Sequence, residues 1–191
     1  MPKRTQIICM HEGKRNKEGL LRSIDPIFAS AFIREFKPSW LRGGRTGFRT
    51  LECGDNTRLL ERFPIELKIC AQQGGDTTLI VLADVDDVHK DCDTLKAKYH
   101  AVARAHDLSD ELFEKVVFIF PKDRLENWIE YINTEHTDEN KEGPRVDPSV
   151  AADAAKKLAN MCKHQDKLSE TLPPSLQWSC RNWKILLERM K

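Results

Sequence analysis

The chain has 191 residues, with 31 lysines and arginines against 30 aspartates and glutamates, so its net charge of +1 points to no particular partner. It contains no apolar segment long enough to cross a membrane, and its first residues lack the apolar stretch of a secretory signal. The 6 cysteines are scattered singly with no C-x-x-C pair, which is typical of reduced thiols. These features predict a cytoplasmic protein of one main domain.

The first predicted strand, 6–10, is a short apolar run that ends at Glu12 and Gly13. Apolar residues at helical spacing follow over 18–36, and we expect Pro26 to break that helix, with Asp25 as a cap.

A basic loop follows, in which aromatic residues and glycines alternate with arginines. This composition suits an arm that contacts phosphate groups, although an ordinary solvated connection that packs through Trp40 is an equal alternative. The candidate nucleic-acid-binding residues are Lys14, Arg42, Arg45 and Arg49.

The most informative stretch is the apolar run 79–83, which is typical of a strand buried on both faces. It ends in Asp84, Asp86 and Asp87. Side chains alternate along a strand, so we expect Asp84 and Asp86 to lie on one side, where they repel each other unless a cation or a proton separates them. Oxygen ligands of this kind suit Mg2+ or Mn2+. The alternative is an acidic loop before a helix capped by Asp91.

The other elements alternate in type along the chain. Strand 48–52 is followed by a helical pattern over 56–69 that Pro64 is expected to kink or split. The later predicted segments are helix 91–106, strand 115–120, helix 125–132, a helix that opens at Asp147 and Pro148, and a final helix over 176–190.

This alternation predicts a three-layer α/β fold with a mainly parallel, four-stranded, Rossmann-like sheet and extra C-terminal helices. We assign 1–133 to the α/β domain, 134–147 to a loop and 148–191 to a helical extension that packs on the same domain. Ligands of such sheets bind beyond the carboxyl ends of the strands. Acids stand at three of these predicted ends, and they include Glu12, Asp84, Asp86, and either Asp123 or Glu126. The coincidence predicts a metal site.

The two strand-end segments, 7–13 with Glu12 and 79–86 with Asp84 and Asp86, resemble the TOPRIM domain. The match extends more loosely over 5–132, and the segment 118–128 is similar to small stand-alone TOPRIM-like proteins related to the OLD-family nucleases, many of which come from bacterial defence neighbourhoods. The resemblance implies that Glu12 is a general acid/base or metal ligand, that Asp84 and Asp86 hold Mg2+, and that Glu126 is an additional acid.

The function implied by this resemblance is a Mg2+-dependent (or Mn2+-dependent) nuclease, a hydrolase acting on DNA or RNA, with phage defence as a setting. A basic residue such as Lys122 would add charge stabilisation. Two alternatives stay open. One is a non-catalytic TOPRIM module that binds nucleic acid or a partner ATPase, and the other is a Mg2+-dependent phosphatase or glycosyltransferase.

Overall fold

The computed structural model describes residues 6–13, 23–36, 47–73, 77–164 and 172–189. Its sheet has four strands: β1 (Gln6–His11), β2 (Phe48–Glu52), β3 (Thr77–Leu82) and β4 (Val117–Ile119). All the strand pairs are parallel, and the order across the sheet is β2-β1-β3-β4. The predicted parallel α/β fold is therefore confirmed.

The helices connect and cover these strands. They are α1 (Asp25–Glu35), α2 (Asn56–Gln73), α3 (Cys92–Ala105), α4 (Asp110–Phe113), α5 (Leu125–Thr134), α6 (Pro148–Lys163) and α7 (Pro174–Arg189). None of the helices in the described part of the chain is long and apolar enough to span a bilayer.

Two apolar cores lie on opposite faces of the sheet because side chains alternate along each strand. Ile7, Cys9, Ile80 and Leu82 face α1, α5, α6 and α7, whereas Ile8, Met10, Leu79 and Val81 face α2, α3 and α4. This arrangement gives the three layers predicted from the sequence. Residues of α6 and α7, among them Leu158 and Trp183, belong to the first core, so the C-terminal helices pack on the same domain as the sheet.

The outer edge of β4 is covered by α7. The amide of Phe120 donates to Ser179 Oγ at 3.0 Å, and the amide of Lys122 donates to Ser175 Oγ at 3.1 Å. On the inner edge, the amides of Ala83 and Val85 donate to the carbonyls of Ile119 and Pro121. The strand segment that ends in Lys122 is thus hydrogen-bonded on both sides.

The sequence predicts that Pro64 kinks or splits its helix, and the split is not found, since α2 is one helix from Asn56 to Gln73. Phe63 and Leu67 on either side of the proline are buried in the second core, and this packing compensates for the backbone hydrogen bond that proline cannot make.

Asp25 does not cap α1 but lies in its first turn, and the N-cap position is held by Ile24 without a side-chain hydrogen bond. The hydroxyl of Ser23 instead accepts a hydrogen bond from the Asp25 amide at 3.2 Å. The predicted cap of α3 is confirmed, since Asp91 accepts from the Thr94 amide at 2.7 Å.

Candidate functional site

The carboxyl ends of β1 and β3 meet where the strand order reverses. From β1 the chain moves first to β2 on one side and later to β3 on the other, which makes this the switch point at which ligands of open α/β sheets bind. Glu12 follows β1 directly, and Asp84 comes two residues after β3. The Asp84 amide donates to Glu12 Oε1 at 3.1 Å. The structure therefore brings together the first two acids predicted from the sequence.

Asp84 lies among other acids. Its pKa is raised well above the ordinary value, first by burial and then by the charges of Asp25, Glu12 and Glu126, while Arg124 acts in the opposite direction. We call Glu12, Asp25, Asp84 and Glu126 the carboxylate cluster. Its members come from the segments that follow β1 and β3 and from the first turns of α1 and α5, so four separate parts of the chain place an acid at the same end of the sheet.

Asp25 joins the end of β1 to the start of α1. Its carboxylate interacts with the hydroxyl of Ser23 and accepts from the backbone amide of Gly13, and both bonds lower its pKa. Burial is stronger than these bonds and, with the nearby charge of Glu126, raises the pKa of Asp25 to about 6.

His11 is buried next to Asp25. Only 1% of its side chain is exposed, and its Nδ1 has no hydrogen-bond partner and lies 4.0 Å from Asp25 Oδ2. Burial lowers the pKa of His11 to about 4, so the imidazole is neutral near pH 7. Gly13 makes room for the ring, because a Cβ at that position would lie 2.5 Å from His11 Nδ1.

Asp86 lies apart from this group. Its Oδ1 is 3.2 Å from Nδ1 of His89, and 52% of its side chain is exposed. His89 has two further neighbours. Its Nε2 lies 3.2 Å from Nδ2 of Asn56, and its Nδ1 lies 3.3 Å from Nζ of Lys98. These partners attach Asp86 to the side of the sheet that carries α2 and α3.

The reason for this placement is a turn. Pairing with the β4 segment continues only as far as Val85, which forms a bridge with Lys122, and the amide of His89 then donates to the carbonyl of Asp86. Side chains alternate between the two faces of the sheet only while the strand continues, so the prediction that Asp84 and Asp86 lie on one side does not hold beyond Val85. As the side chains stand, no three histidines, cysteines or acids among the described residues could hold a metal ion, so the predicted convergence of Glu12, Asp84 and Asp86 is not found.

The acid contributed after β4 is Glu126. It lies in the first turn of α5, and its charge raises the pKa values of both Asp84 and Asp25. Asp123 instead has its Oδ2 3.5 Å from Arg124 Nε. The Nη1 of Arg124 lies 2.6 Å from Glu142 Oε1.

The predicted basic residues fall in several places. The ammonium of Lys122 donates to the carbonyl of Lys90 at 2.9 Å and lines a cavity of about 510 Å³ between the first turns of α3 and α7. Arg49 lies 3.3 Å from the buried carboxylate of Glu66, which also pairs with Arg62. The other candidates, Lys14, Arg42 and Arg45, lie outside the described residues.

The site residues that sequence reasoning missed are Asp25, Arg124 and His11. The position of Asp25 near the strand ends could have been predicted from the sequence. A helix that follows a strand of a parallel sheet begins at the carboxyl edge of that sheet, so an acid in its first turn is placed near the strand ends.

The donor chemistry of the carboxylate cluster fits a hard divalent cation. Carboxylate oxygens are preferred ligands of Mg2+ and Mn2+, and a dication offsets the repulsion that raises the pKa of Asp84. Binding would require side-chain rotation, because no three of these groups now stand within reach of one ion.

No family model matches the chain, and searches of curated proteins and of solved structures find no match either. The resemblance to TOPRIM domains thus rests on the residues quoted from the sequence.

Proposed function

We propose that this protein is a Mg2+- or Mn2+-dependent nuclease of the TOPRIM type, which hydrolyses phosphodiester bonds in DNA or RNA. The observation that carries the proposal is the contact between the Asp84 amide and Glu12 at the switch point of the sheet, inside a cluster of partly buried acids. A binding site at this position is the usual one for an open parallel sheet.

The roles follow from the positions of the side chains. Glu12 and Asp84 would hold the cation, which when bound activates water and offsets charge on the phosphoryl oxygens. Arg124, whose charge acts on Asp84, would attract a phosphate toward the cluster. Glu126 adds a further carboxylate at the same place.

The same proposal gives the protein a cytoplasmic location, a role in bacterial defence against phage and a partner ATPase. Nucleic acid would be held in part by Arg42 and Arg45 of the basic loop and by Arg49, which lies in β2. Changing all three to alanine should weaken binding and flatten its dependence on salt, because fewer counterions are released. Electrophoretic or anisotropy titrations at several salt concentrations measure that slope, and an unchanged slope would contradict the assignment.

The nuclease proposal is tested with purified protein on supercoiled plasmid, single-stranded DNA and total tRNA, each in Mg2+, Mn2+ or EDTA. We expect cleavage only with a metal, and no cleavage by Asp84→Asn, which loses the charge needed to hold a dication. Asp87→Asn is the matched control, because this exposed acid lies in the same loop outside the cluster.

Three outcomes would reject the proposal. Cleavage in EDTA, or cleavage that Asp84→Asn leaves intact, would exclude the metal mechanism. Binding of nucleic acid without cleavage under every metal condition, retained in Asp84→Asn, would instead identify a non-catalytic module.

A further inference from the structure

We propose that the cavity between the first turns of α3 and α7 binds a nucleotide, with the phosphate at Lys90 and Lys122 and the base against Trp178. This binding goes beyond the proposed nuclease activity, because it requires no metal ion and none of the acids in the carboxylate cluster. The chemistry recognised is a phosphate ester that carries a planar base, either as a free mononucleotide or as one nucleotide of a bound strand.

The cavity lies beyond the carboxyl ends of β3 and β4. Its volume of about 510 Å³ falls within the roughly 300–1,000 Å³ that is usual for small-molecule sites. Lys122 follows β4, and Lys90 ends the turn that follows β3. Both lysines therefore come from the edge of the sheet at which ligands of parallel α/β folds bind.

Two ammonium groups make the cavity suitable for an anion. Lys90 and Lys122 line it, and among the described residues neither side chain is paired with a carboxylate. Nζ of Lys122 donates to the carbonyl of Lys90 at 2.9 Å, which leaves two of its protons for a ligand. Lys90 has a φ of 62°, a left-handed conformation that is uncommon outside glycine, and in this conformation its carbonyl fixes the Lys122 ammonium at the cavity wall.

Trp178 supplies a flat apolar surface in the same cavity. Its ring is stacked on Phe120, with centroids 5.4 Å apart and 14° between the planes, and its Nε1 donates to Asp93 Oδ1 at 2.8 Å. Both contacts fix the orientation of the indole. The side chain is only partly buried and lines the cavity, so an entering ring can stack on the part of the indole that Phe120 leaves free. Stacking on an aromatic side chain is a usual way to hold a nucleobase.

The acids of the cavity lining do not oppose this assignment, because each of them has a partner within the protein. They are Asp91 with the Thr94 amide, Asp93 with Trp178, Asp138 with Lys141, and Glu139 with the Ser175 amide. A cation would have to compete with these contacts, whereas an anion can bind the lysines without breaking any of them. A nucleotide joins an anionic group to a planar ring, and these are the two features that the lysines and Trp178 can bind.

Isothermal titration calorimetry with AMP, in EDTA so that no metal contributes, measures this binding. Adenosine and inorganic phosphate represent the two halves of the ligand. We expect AMP to bind the wild-type protein, and each half to bind roughly tenfold or more weakly, because it lacks the contacts that the other half makes.

Substitutions in the cavity identify the residues that bind. Lys122→Met and Trp178→Leu should each weaken AMP binding roughly tenfold or more, since the first loses a charged hydrogen-bond donor and the second loses the stacking surface. Lys68→Met, at an exposed position of α2 outside the cavity, is the matched control and should bind AMP like wild type. Circular dichroism checks the fold, and Lys90→Met, at an exposed position, should weaken binding in the same way and replaces Trp178→Leu if that variant does not fold.

The inference is overturned if AMP does not bind, if adenosine or phosphate alone binds as tightly as AMP, or if the cavity variants bind AMP like Lys68→Met. Binding of spermidine in place of AMP would also overturn it, because the acids and not the lysines would then select the ligand. A short single-stranded oligonucleotide distinguishes the two sources of nucleotide. If it displaces AMP, the cavity holds one nucleotide of a strand, and if it does not, the cavity holds a free nucleotide. These measurements involve no cleavage, so their failure leaves the nuclease proposal standing.

Discussion

Asp25 and His11 show how burial acts on two groups of opposite charge. At the end of β1 His11 is fully buried and Asp25 mostly buried, and in both burial favours the neutral form, which raises the pKa of the acid to about 6 and lowers that of the histidine to about 4. Their contributions to stability therefore change in opposite directions with pH. Between about pH 4 and 6, Asp25 binds a proton more strongly in the folded protein than in the unfolded chain. In the same range, His11 binds a proton more weakly in the folded protein than in the unfolded chain.

Asp25→Asn separates these contributions. Because the folded pKa of Asp25 is raised, wild type gains stability as the pH falls through about 6 and loses it again as the carboxylate ionises above that value. In EDTA the variant should be more stable than wild type by about 1–3 kcal/mol at pH 8, and the difference should vanish toward pH 4. Urea denaturation at a series of pH values measures this difference in the free energy of unfolding. A difference that does not change with pH would show that burial does not destabilise the charged form of Asp25.

Gly13 tests the packing around His11. Because an added Cβ would meet His11 Nδ1 at 2.5 Å, Gly13→Ala should lower the free energy of unfolding by roughly 1–3 kcal/mol. In a His11→Ala background the same change should cost much less, since the ring that blocks the methyl group is gone. Equal costs in the two backgrounds would show that the glycine is needed for another reason.

At the scale of elements, the sheet positions the site because parallel strands all end at one edge. The alternating order of strands and helices, and the acids after β1 and β3, follow from short-range patterns that a sequence displays directly. The place of Asp86 does not, because it depends on a turn that forms after Val85 and on partners in α2 and α3. The position of Asp25 is partly predictable, since the first turn of a helix that follows a strand lies near the carboxyl edge of the sheet, but its influence on the pKa of Asp84 depends on contacts between distant parts of the chain.

Helix α7 offers an element-scale prediction. Ser179→Ala removes the side-chain acceptor of the amide of Phe120, a fully buried residue of the β4 segment. An unpaired buried amide costs roughly 1–3 kcal/mol, so the variant should unfold at a lower denaturant concentration. Ser149→Ala, at an exposed position in α6, is the control and should stay within about 0.5 kcal/mol of wild type. Equal stability of the two variants would show that water replaces the hydroxyl.

At the scale of the whole molecule, a cation that binds only the folded state must stabilise it. At a concentration about a hundred times its dissociation constant, the gain is roughly 2.7 kcal/mol, which for a chain of this size raises Tm by roughly 5–10 °C. We therefore expect Mn2+ to raise the Tm of wild type in a saturable way and to leave Asp84→Asn almost unchanged. Scanning calorimetry in Mn2+ and in EDTA measures both, and a similar rise in the variant would place the bound ion elsewhere.

The two hydroxyls that α7 presents to β4 also bear on association between molecules. An open strand at the edge of a sheet is a template on which a strand of another chain can add, and this is a common start of aggregation. Ser175 and Ser179 occupy the outward amides of Lys122 and Phe120, so a second chain finds no free donor there. The C-terminal helix thus does more than enlarge the core, because it takes up two of the amides through which the β4 edge could pair with a strand of another chain.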